Sequence, residues 1–345
     1  MSEDDGRRAT VHDVAREAGV SLATVDRVLN GRPGVRPGTA QKVEDAIGRL
    51  DFRRDLSASL LARSRDLNLR FLIPDGANEF MDHLADAVGR RARAAKAERL
   101  RIETTRLAAL DAEGVAAQLD ALGKASCDCV VVVATDEPAV VRAVDAASRR
   151  GVQVLTLVSD LPGSSRRQFI GIDNLAAGRT AGSLMGRFCP TGEVAIVAGS
   201  LGLRDHAERL AGFLDVARVE FPGLTVIGPV EAHDRDEETK TAIRRLLAEH
   251  PGLAGIYNLG AGNAGLIAAV EDWDRPSRPR VIAHELTTAT RRGLASGAID
   301  VVLDQNPDAE ITAAIVAARA LAHHDGNALA PGRIEIGIFL RDNLR

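Results

Sequence analysis

The sequence predicts a small all-α head with a helix-turn-helix, joined to a larger two-lobed α/β body of parallel sheets with helices on both faces. Three observations point there. Residues 10–63 hold short runs of helically spaced apolar residues, broken by Gly19 and by a Gly/Pro stretch at 31–34. From residue 68 onward, apolar strands alternate with amphipathic helical stretches. The charge divides at the same place. Residues 1–65 carry 12 Lys/Arg and 10 Asp/Glu, net +2; of the chain's 44 basic and 48 acidic residues, 32 and 38 are left for the rest, net −6.

At 345 residues the chain is long enough for two or three domains. Aromatic residues make up only 3%, so the cores must be built from Ala, Val, Leu and Ile. No apolar run reaches the ~18 residues that span a bilayer. MSEDDGRR is charged and no apolar segment follows it, so a cytoplasmic location is expected. The three cysteines argue against a disulfide framework. Cys127 and Cys129 flank the start of an apolar strand, where alternation puts both on one face as small buried hydrophobes. No nearby Cys/His pair completes a metal site, and no cofactor is implied.

In the head, Thr10 and Asp13 have the spacing of a capping box. Val11, Val14, Ala15 and Ala18 fall at i, i+3, i+4 and i+7 on one face. Gly19 turns the chain and Ser21 caps a second helix, which carries Val25, Val28 and Leu29 inward. Thr39 or Pro37-Gly38 opens a third helix, lined by Val43, Ala46, Ile47 and Leu50. Two helices joined by a short Gly turn form an arrangement whose second helix can enter a DNA major groove.

The run TVHDVAREAGVSLATVDRVLNG resembles the head of the lactose-repressor (LacI/GalR) family of bacterial transcription factors. The resemblance implies base reading by Leu22, Ala23 and Arg27, and phosphate positioning by Ser21, Thr24 and Asn30. Arg27 can fork onto guanine, and Leu22 and Ala23 can meet a thymine methyl. Asp26 stands where the family usually has Ser. It would either accept from cytosine N4 or orient Arg27, the second being favoured. Residues 55–63, DLSASLLAR, match the family's hinge helix, which implies that Leu61 wedges into the minor groove and that Ala58 and Ala62 permit close helix approach. Arg53, Arg54 and Asp55 depart from the usual entry to this segment. A helix so short is marginal alone, so it should order only on DNA and beside a partner.

In the body, strands are expected at 68–74, 101–105, 129–134, 152–158, 169–172, 193–199, 225–230, 255–259, 280–284, 300–305 and 333–340. Helices are expected at 79–100, 111–122, 137–150, 174–188, 204–219, 237–249, 263–273, 287–295 and 308–322. CVVVVA has no polar interruption, as in a parallel sheet buried on both faces. The strand–helix order, with FIGIDNLAAGRTAG and YNLGAGNAG, resembles the periplasmic-binding-protein-like core of the same family. That implies a head at 1–54, a hinge at 55–66 and an effector-binding and dimerisation body at 67–345. The first lobe would comprise about 67–188 and 308–322, the second about 190–304, with a terminal strand at 332–340. Crossings between lobes are expected near 188–192, near or after 286–287, and at 304–307.

In that fold the ligand lies in the cleft at the carboxyl ends of the strands. Candidates there are Asp173, Asn174, Arg209, Asn258, His284, Glu285 and Gln305, with Phe80 as the stacking residue. Carboxylates, amides and an arginine suit a polyhydroxyl ligand, so the implied effector is a sugar or polyol. Glu285 stands where sugar-binding relatives usually have Asp, with His284 just before it. The implied protein is a homodimeric, ligand-responsive transcriptional regulator, a repressor by the favoured reading, that binds a near-palindromic DNA operator and no membrane.

Two other classes compete. Residues 260–265 read G-x-G-x-x-G between a strand and a helix, with Glu285 20 residues beyond, as in a dinucleotide-binding oxidoreductase. A secreted solute-binding protein would share the body but not the head. The Arg204-Asp205-His206 triple invites an enzyme reading, but no nucleophile–base–orienter set accompanies it, and no enzymatic activity is expected.

Overall fold

The computed structural model describes residues 10–29, 34–50, 52, 66–76, 78–95, 98–274, 278–322 and 332–344. The chain divides into two compact units, Met1–Arg65 and Asp66–Arg345. Asn30, Ala58 and Leu61, and with them the expected hinge, lie outside the described residues.

The first unit contains α1 (Val11–Ala18), α2 (Leu22–Leu29) and α3 (Pro37–Arg49). The capping box is formed: the Thr10 hydroxyl accepts from the Asp13 amide at 3.3 Å, and the Asp13 carboxylate accepts from the Thr10 amide at 2.9 Å. Gly19 ends α1 at φ +66°, the left-handed conformation that glycine adopts at least cost. Val14, Ala15, Ala18, Val25, Val43 and Ala46 are buried together, and Val11, Val28, Leu29, Ile47 and Leu50 pack around them. Val20 and Phe52 join this core unforeseen.

The second unit contains two six-stranded sheets. The first is built from β1 (Leu67–Asp75), β2 (Leu100–Ala108), β3 (Cys129–Val132), β4 (Gln153–Leu157), β5 (Gln168–Ile172) and β11 (Arg333–Ile334), in the order β11-β5-β4-β3-β1-β2, all parallel. The second is built from β6 (Thr191–Ala198), β7 (Gly223–Glu231), β8 (Gly255–Asn258), β9 (Arg280–His284), β10 (Val301–Asp304) and β12 (Gly337–Phe339), in the order β12-β10-β9-β8-β6-β7. Here only β12 runs antiparallel, against β10. The alternation of side chains splits each sheet's apolar residues between two cores. Helices α4 (Glu79–Ala95) and α12 (Pro307–Ala322) cover one face of the first sheet; α5 (Ala112–Asp120) and α6 (Pro138–Arg149) cover the other. On the second sheet, α9 (Asp236–Glu249), α10 (Asn263–Glu271) and α11 (Thr288–Ser296) oppose α7 (Asn174–Phe188) and α8 (Arg204–Glu220).

Three expectations need correction. Helix α7 packs on the second sheet, so the chain first crosses between lobes at Asp173–Asn174 and not near residue 188. The cause is a close seat against α8: a Cβ on Gly178 would lie 2.0 Å from the carbonyl oxygen of Arg209, and one on Gly212 would lie 2.2 Å from that of Leu175. The crossing at 304–307 is present, but none occurs at 286–287. The third is at Glu335–Ile336, which divides the expected strand 332–340 into β11 in one lobe and β12 in the other. Cys127 and Cys129 are buried as expected but in opposite cores, because the strand pairing starts only at Cys129. Burial pushes the Cys127 thiol up to about 11 and that of Cys129 higher still.

Candidate nucleic-acid interface and ligand cleft

In the first unit, Ser21 opens α2 as expected. Its hydroxyl accepts from the Thr24 amide at 3.2 Å and meets the Thr24 hydroxyl at 2.9 Å. Val25 is fully buried, while Leu22, Ala23, Asp26 and Arg27 are exposed. These four sit at i, i+1, i+4 and i+5, a single outward stripe. Leu22, a large apolar side chain, is 42% exposed among the described residues. The stripe thus presents an apolar contact, a carboxylate and a guanidinium on one rigid element.

In the second unit, the carboxyl ends of both sheets converge on a chamber lined from both lobes. The second lobe supplies its polar wall. Asp205 and Arg209 share a face of α8 at i, i+4; Glu285 follows β9, Gln305 follows β10, and Asp234 lies in the turn after β7. The first lobe supplies Asn78, Phe80, Met81, Val133, Val158 and Ser159.

Arg209 is 1% exposed and is held from behind. Its Nε donates to Asn174 Oδ1 at 2.9 Å and Nη1 donates to the Leu259 carbonyl at 2.7 Å. Its Nη2 lies 3.9 Å from the Asp205 carboxylate and 3.8 Å from that of Glu285, beyond hydrogen-bond reach. Gln305 donates to Glu285 Oε1 at 2.7 Å. Among the described residues, Arg209 Nη2, Asp205 Oδ1, Glu285 Oε2 and Gln305 Oε1 are buried without a hydrogen-bond partner. Unpaired buried polar atoms are costly, so four on one wall mark a surface built to be completed by something else.

Burial raises the Glu285 carboxyl to about 8; Arg209 pulls it back and Asp304 pushes it further. Glu310, fully buried in the first turn of α12, is raised well above its usual range by burial and by Glu285. His284 is held neutral by burial, with Arg209 and His206 acting in the same direction. Its Nε2 meets the Tyr257 hydroxyl at 2.8 Å, and Tyr257 stacks on Phe213 at 5.1 Å.

Of the eight cleft candidates, Phe80, Arg209, Glu285 and Gln305 line the chamber. Asn174, Asn258 and His284 form a buried layer behind it. Asn258 donates to the Ala261 carbonyl at 2.8 Å and to Asn263 at 2.9 Å. Asp173 does not line the chamber: its carboxylate accepts from the Ala176 amide at 3.0 Å as the cap of α7, and pairs with Arg333 at 3.2 Å. Asp205 and His206 stood out in the sequence only as part of a discarded enzyme triple and not as cleft residues, and Asp234 did not stand out at all. The i, i+4 spacing of Asp205 and Arg209 was the available signal.

The G-x-G-x-x-G stretch has internal reasons for its glycines. A Cβ on Gly265 would lie 1.8 Å from the Asp236 carbonyl oxygen, and one on Gly262 would lie 2.1 Å from the Thr239 hydroxyl. The amides of Ala264 and Gly265, which would face a pyrophosphate, donate to Asp236 Oδ1 at 3.1 and 3.3 Å. The two amides that would hold a pyrophosphate are thus already taken by Asp236.

The lobes also touch directly. Glu79 at the start of α4 accepts from the amides of Thr288 and Ala289, at 2.8 and 3.2 Å, capping α11 of the other lobe. Burial opposes ionisation there, but hydrogen bonds from the Thr288 and Thr287 side chains, together with these two amides, outweigh it and hold the carboxyl below its usual range.

Comparison with known proteins agrees with both units. Residues 10–55 match the family described as bacterial regulatory proteins, lacI family, and residues 69–326 match the periplasmic binding protein domain. Catabolite control protein A of Priestia megaterium is 46% identical over 79 residues, 23% of this chain and 24% of that protein. Its counterpart in Streptococcus mutans is 43% identical over 88 residues, 26% of each. These matches span about a quarter of the relatives' length. A solute-binding protein from Burkholderia graminis, solved with D-arabinose, shares the fold at a TM-score of 0.73 and 23% identity, covering 81% of this chain and 97% of that one. The glucose-galactose binding protein GanP of Geobacillus stearothermophilus does so at 0.72 and 20%, covering 81% and 99%. With both matches on one polypeptide, the chain belongs to the periplasmic binding protein domain family over residues 69–326 and carries, at residues 10–55, a head of the bacterial regulatory proteins, lacI family.

Proposed function

We propose that this chain is a homodimeric transcriptional regulator that reads a near-palindromic operator through α2, and that a sugar or polyol bound between the lobes sets its operator affinity. The observation that carries the reading is the pairing of an outward α2 stripe with a cleft wall of unpartnered Arg209, Asp205, Glu285 and Gln305 atoms on one chain. A polyhydroxyl ligand both donates and accepts, so it can complete that wall. The head's net +2 against the body's −6 favours DNA contact through the head alone. Repression relieved by the bound ligand is the favoured sign. A ligand acts here only through different affinities for the DNA-bound and free forms.

The test pairs a thermal-shift screen of pentoses, hexoses and polyols with mobility shifts on the cognate operator. A compound that raises Tm should also change operator affinity. If stabilising compounds leave DNA binding untouched, the coupling is wrong. Arg27→Ala should weaken operator binding by about 1–3 kcal/mol without altering ligand affinity. Leu61→Ser should weaken operator binding in the same way, and equal affinity in wild type and variant would remove Leu61 from the interface.

A further inference from the structure

Glu310 is a buried carboxyl that does not line the cleft. It stands in the first turn of α12, just past the 304–307 crossing, and its amide donates to the Asn306 carbonyl at 3.1 Å. Both of its carboxyl oxygens lack a hydrogen-bond partner among the described residues. A buried glutamate without a partner is costly as an anion, so it persists either neutral or paired.

The surroundings of α12 decide between the two. Helix α4 packs Phe80, Leu84 and Ala87 with Ile311, Ala314 and Ile315 in one apolar core, and its ion pair with α12, Arg90 with Asp308, lies outside. From the second lobe, the charged groups acting on Glu310 are Glu285 after β9, Arg209 and Asp205 on α8, and Asp304 at the end of β10. Arg291 and His83 act in turn on Asp304. Three carboxyl groups thus stand against one guanidinium, which is already held by Asn174 and the Leu259 carbonyl. Burial, then Glu285, raise the Glu310 carboxyl well above its usual range, and Arg209 only partly opposes them.

Glu285 has the complementary deficit. Its backbone is fixed at φ +71°, a costly conformation for a residue other than glycine. The amide donates to the Leu303 carbonyl at 2.8 Å, and the carbonyl accepts from the Thr290 hydroxyl at 2.7 Å. In the side chain, Oε1 accepts from Gln305, while Oε2 is buried without a partner. Glu285 is also the charge that acts most strongly on Glu310. A neutral carboxyl carries one donor, and a carboxylate oxygen accepts two bonds. One proton on Glu310 therefore satisfies an oxygen of each side chain and still leaves Glu285 Oε2 a position for a ligand hydroxyl.

We infer that Glu310 is a positioning residue for the effector: as the neutral acid it donates a hydrogen bond from the first lobe to Glu285 of the second, and so fixes the carboxyl that the ligand meets. The role toward the effector rests on the sugar reading of the cleft; the hydrogen bond does not. When Glu285 is ionised the bond is charge-assisted and strongest.

Infrared spectroscopy on the full-length chain reads the bond without a ligand, because the C=O stretch of a neutral carboxyl is separate from that of a carboxylate. A neutral band should remain in the wild type at about pH 9, far above the ordinary carboxyl range, and be absent from Glu310→Gln. Glu285→Gln removes the like charge, so the same band should titrate away at lower pH. Absence of the band from the wild type, or a midpoint that Glu285→Gln leaves in place, would overturn the inference.

Titration calorimetry with D-arabinose, D-galactose, D-glucose, D-xylose and xylitol tests the positioning. Glu310→Leu fills similar space without a donor, an exchange that buried carboxyls tolerate. It should weaken the probe that binds by at least about tenfold. Glu310→Gln, whose amide can donate as the neutral acid does, should keep wild-type affinity. Between about pH 8 and 10 the wild type should lose about tenfold in affinity relative to Glu310→Gln, as its donor ionises. Equal affinity in wild type and Glu310→Leu would overturn the positioning role, and so would a loss in Glu310→Gln as large as in Glu310→Leu. Silence from every probe would remove the sugar reading and the positioning role with it, and the hydrogen bond would stand or fall by the infrared result.

Discussion

The two walls of the cleft are built from opposite materials. The second lobe contributes Asp205, Arg209, Asp234, Glu285 and Gln305; the first contributes Phe80, Met81, Val133 and Val158, with only Asn78 and Ser159 as polar side chains. The polar wall is anchored in depth. Asn174 and the Leu259 carbonyl hold Arg209, and the close crossing of α7 and α8 at Gly178 fixes the backbone beneath it. The apolar wall is anchored chiefly by packing against its sheet, with Glu79 beside Phe80 tying the start of α4 to α11. The difference separates two tasks: one lobe recognises hydroxyl geometry through rigid directional groups, and the other recognises shape through surfaces that have no preferred direction.

The largest effect should come from the polar wall. Arg209→Ala would remove the guanidinium beside the buried Asp205 carboxylate and leave the Asn174 and Leu259 acceptors without their donor. A stability loss of about 3–5 kcal/mol is expected, read from denaturant midpoints at constant m. A loss under about 1 kcal/mol would show that the wall is not electrostatically tied. Phe80→Ala comes next, at about 3 kcal/mol for a buried ring. Ligand affinity should fall while the ranking among epimeric sugars stays the same. A changed ranking would break the division of tasks between the walls.

A pH series sharpens the comparison from the polar side. The Glu285 carboxyl is raised to about 8 in the folded chain against an ordinary 4.5, so the folded state binds its proton more tightly. Its contribution to stability is complete below pH 4.5 and is lost as pH rises through 8. Arg209, Asp205, Asp304 and Gln305 face this carboxyl, and Glu310 titrates beside it with a shift of the same sign. Wild type should therefore lose stability across that window, and Glu285→Gln should lose less. Parallel profiles for the two proteins would exclude Glu285 as a source. The smallest effect belongs to Glu79→Ala, about 1 kcal/mol for a lost helix cap. Differential scanning calorimetry should register it as a Tm decrease of a few degrees at most.

Much of this was legible from the residues alone. The head could be read because the spacing of Val14, Ala15, Ala18 and Val25 states which face is buried, and Gly19 states where the chain turns. Phe80, Glu285 and Gln305 could be placed because strand ends can be located from apolar runs; Arg209, inside a helix, could be placed only through the family resemblance. Asp173 could not be resolved, since a carboxylate before a helix has the same local pattern whether it caps or binds. Asp234 reaches the cleft through a two-residue turn at positive φ, which leaves no periodic trace. The terminal RIEIGIFL alternates without a break, so nothing local marks the crossing at Glu335–Ile336 that shares it between two sheets.

The Glu79 contact has one more consequence. Two amides of α11 are satisfied by a carboxylate that belongs to the opposite lobe, so a helix in one half is finished only when the halves are together. At about 1 kcal/mol, that shared cap shifts the balance between joined and separated lobes roughly fivefold. The protein thus has a built-in bias toward closure before any ligand arrives. A ligand then starts from a population already tilted in its favour, and less of its binding energy goes into bringing the lobes together.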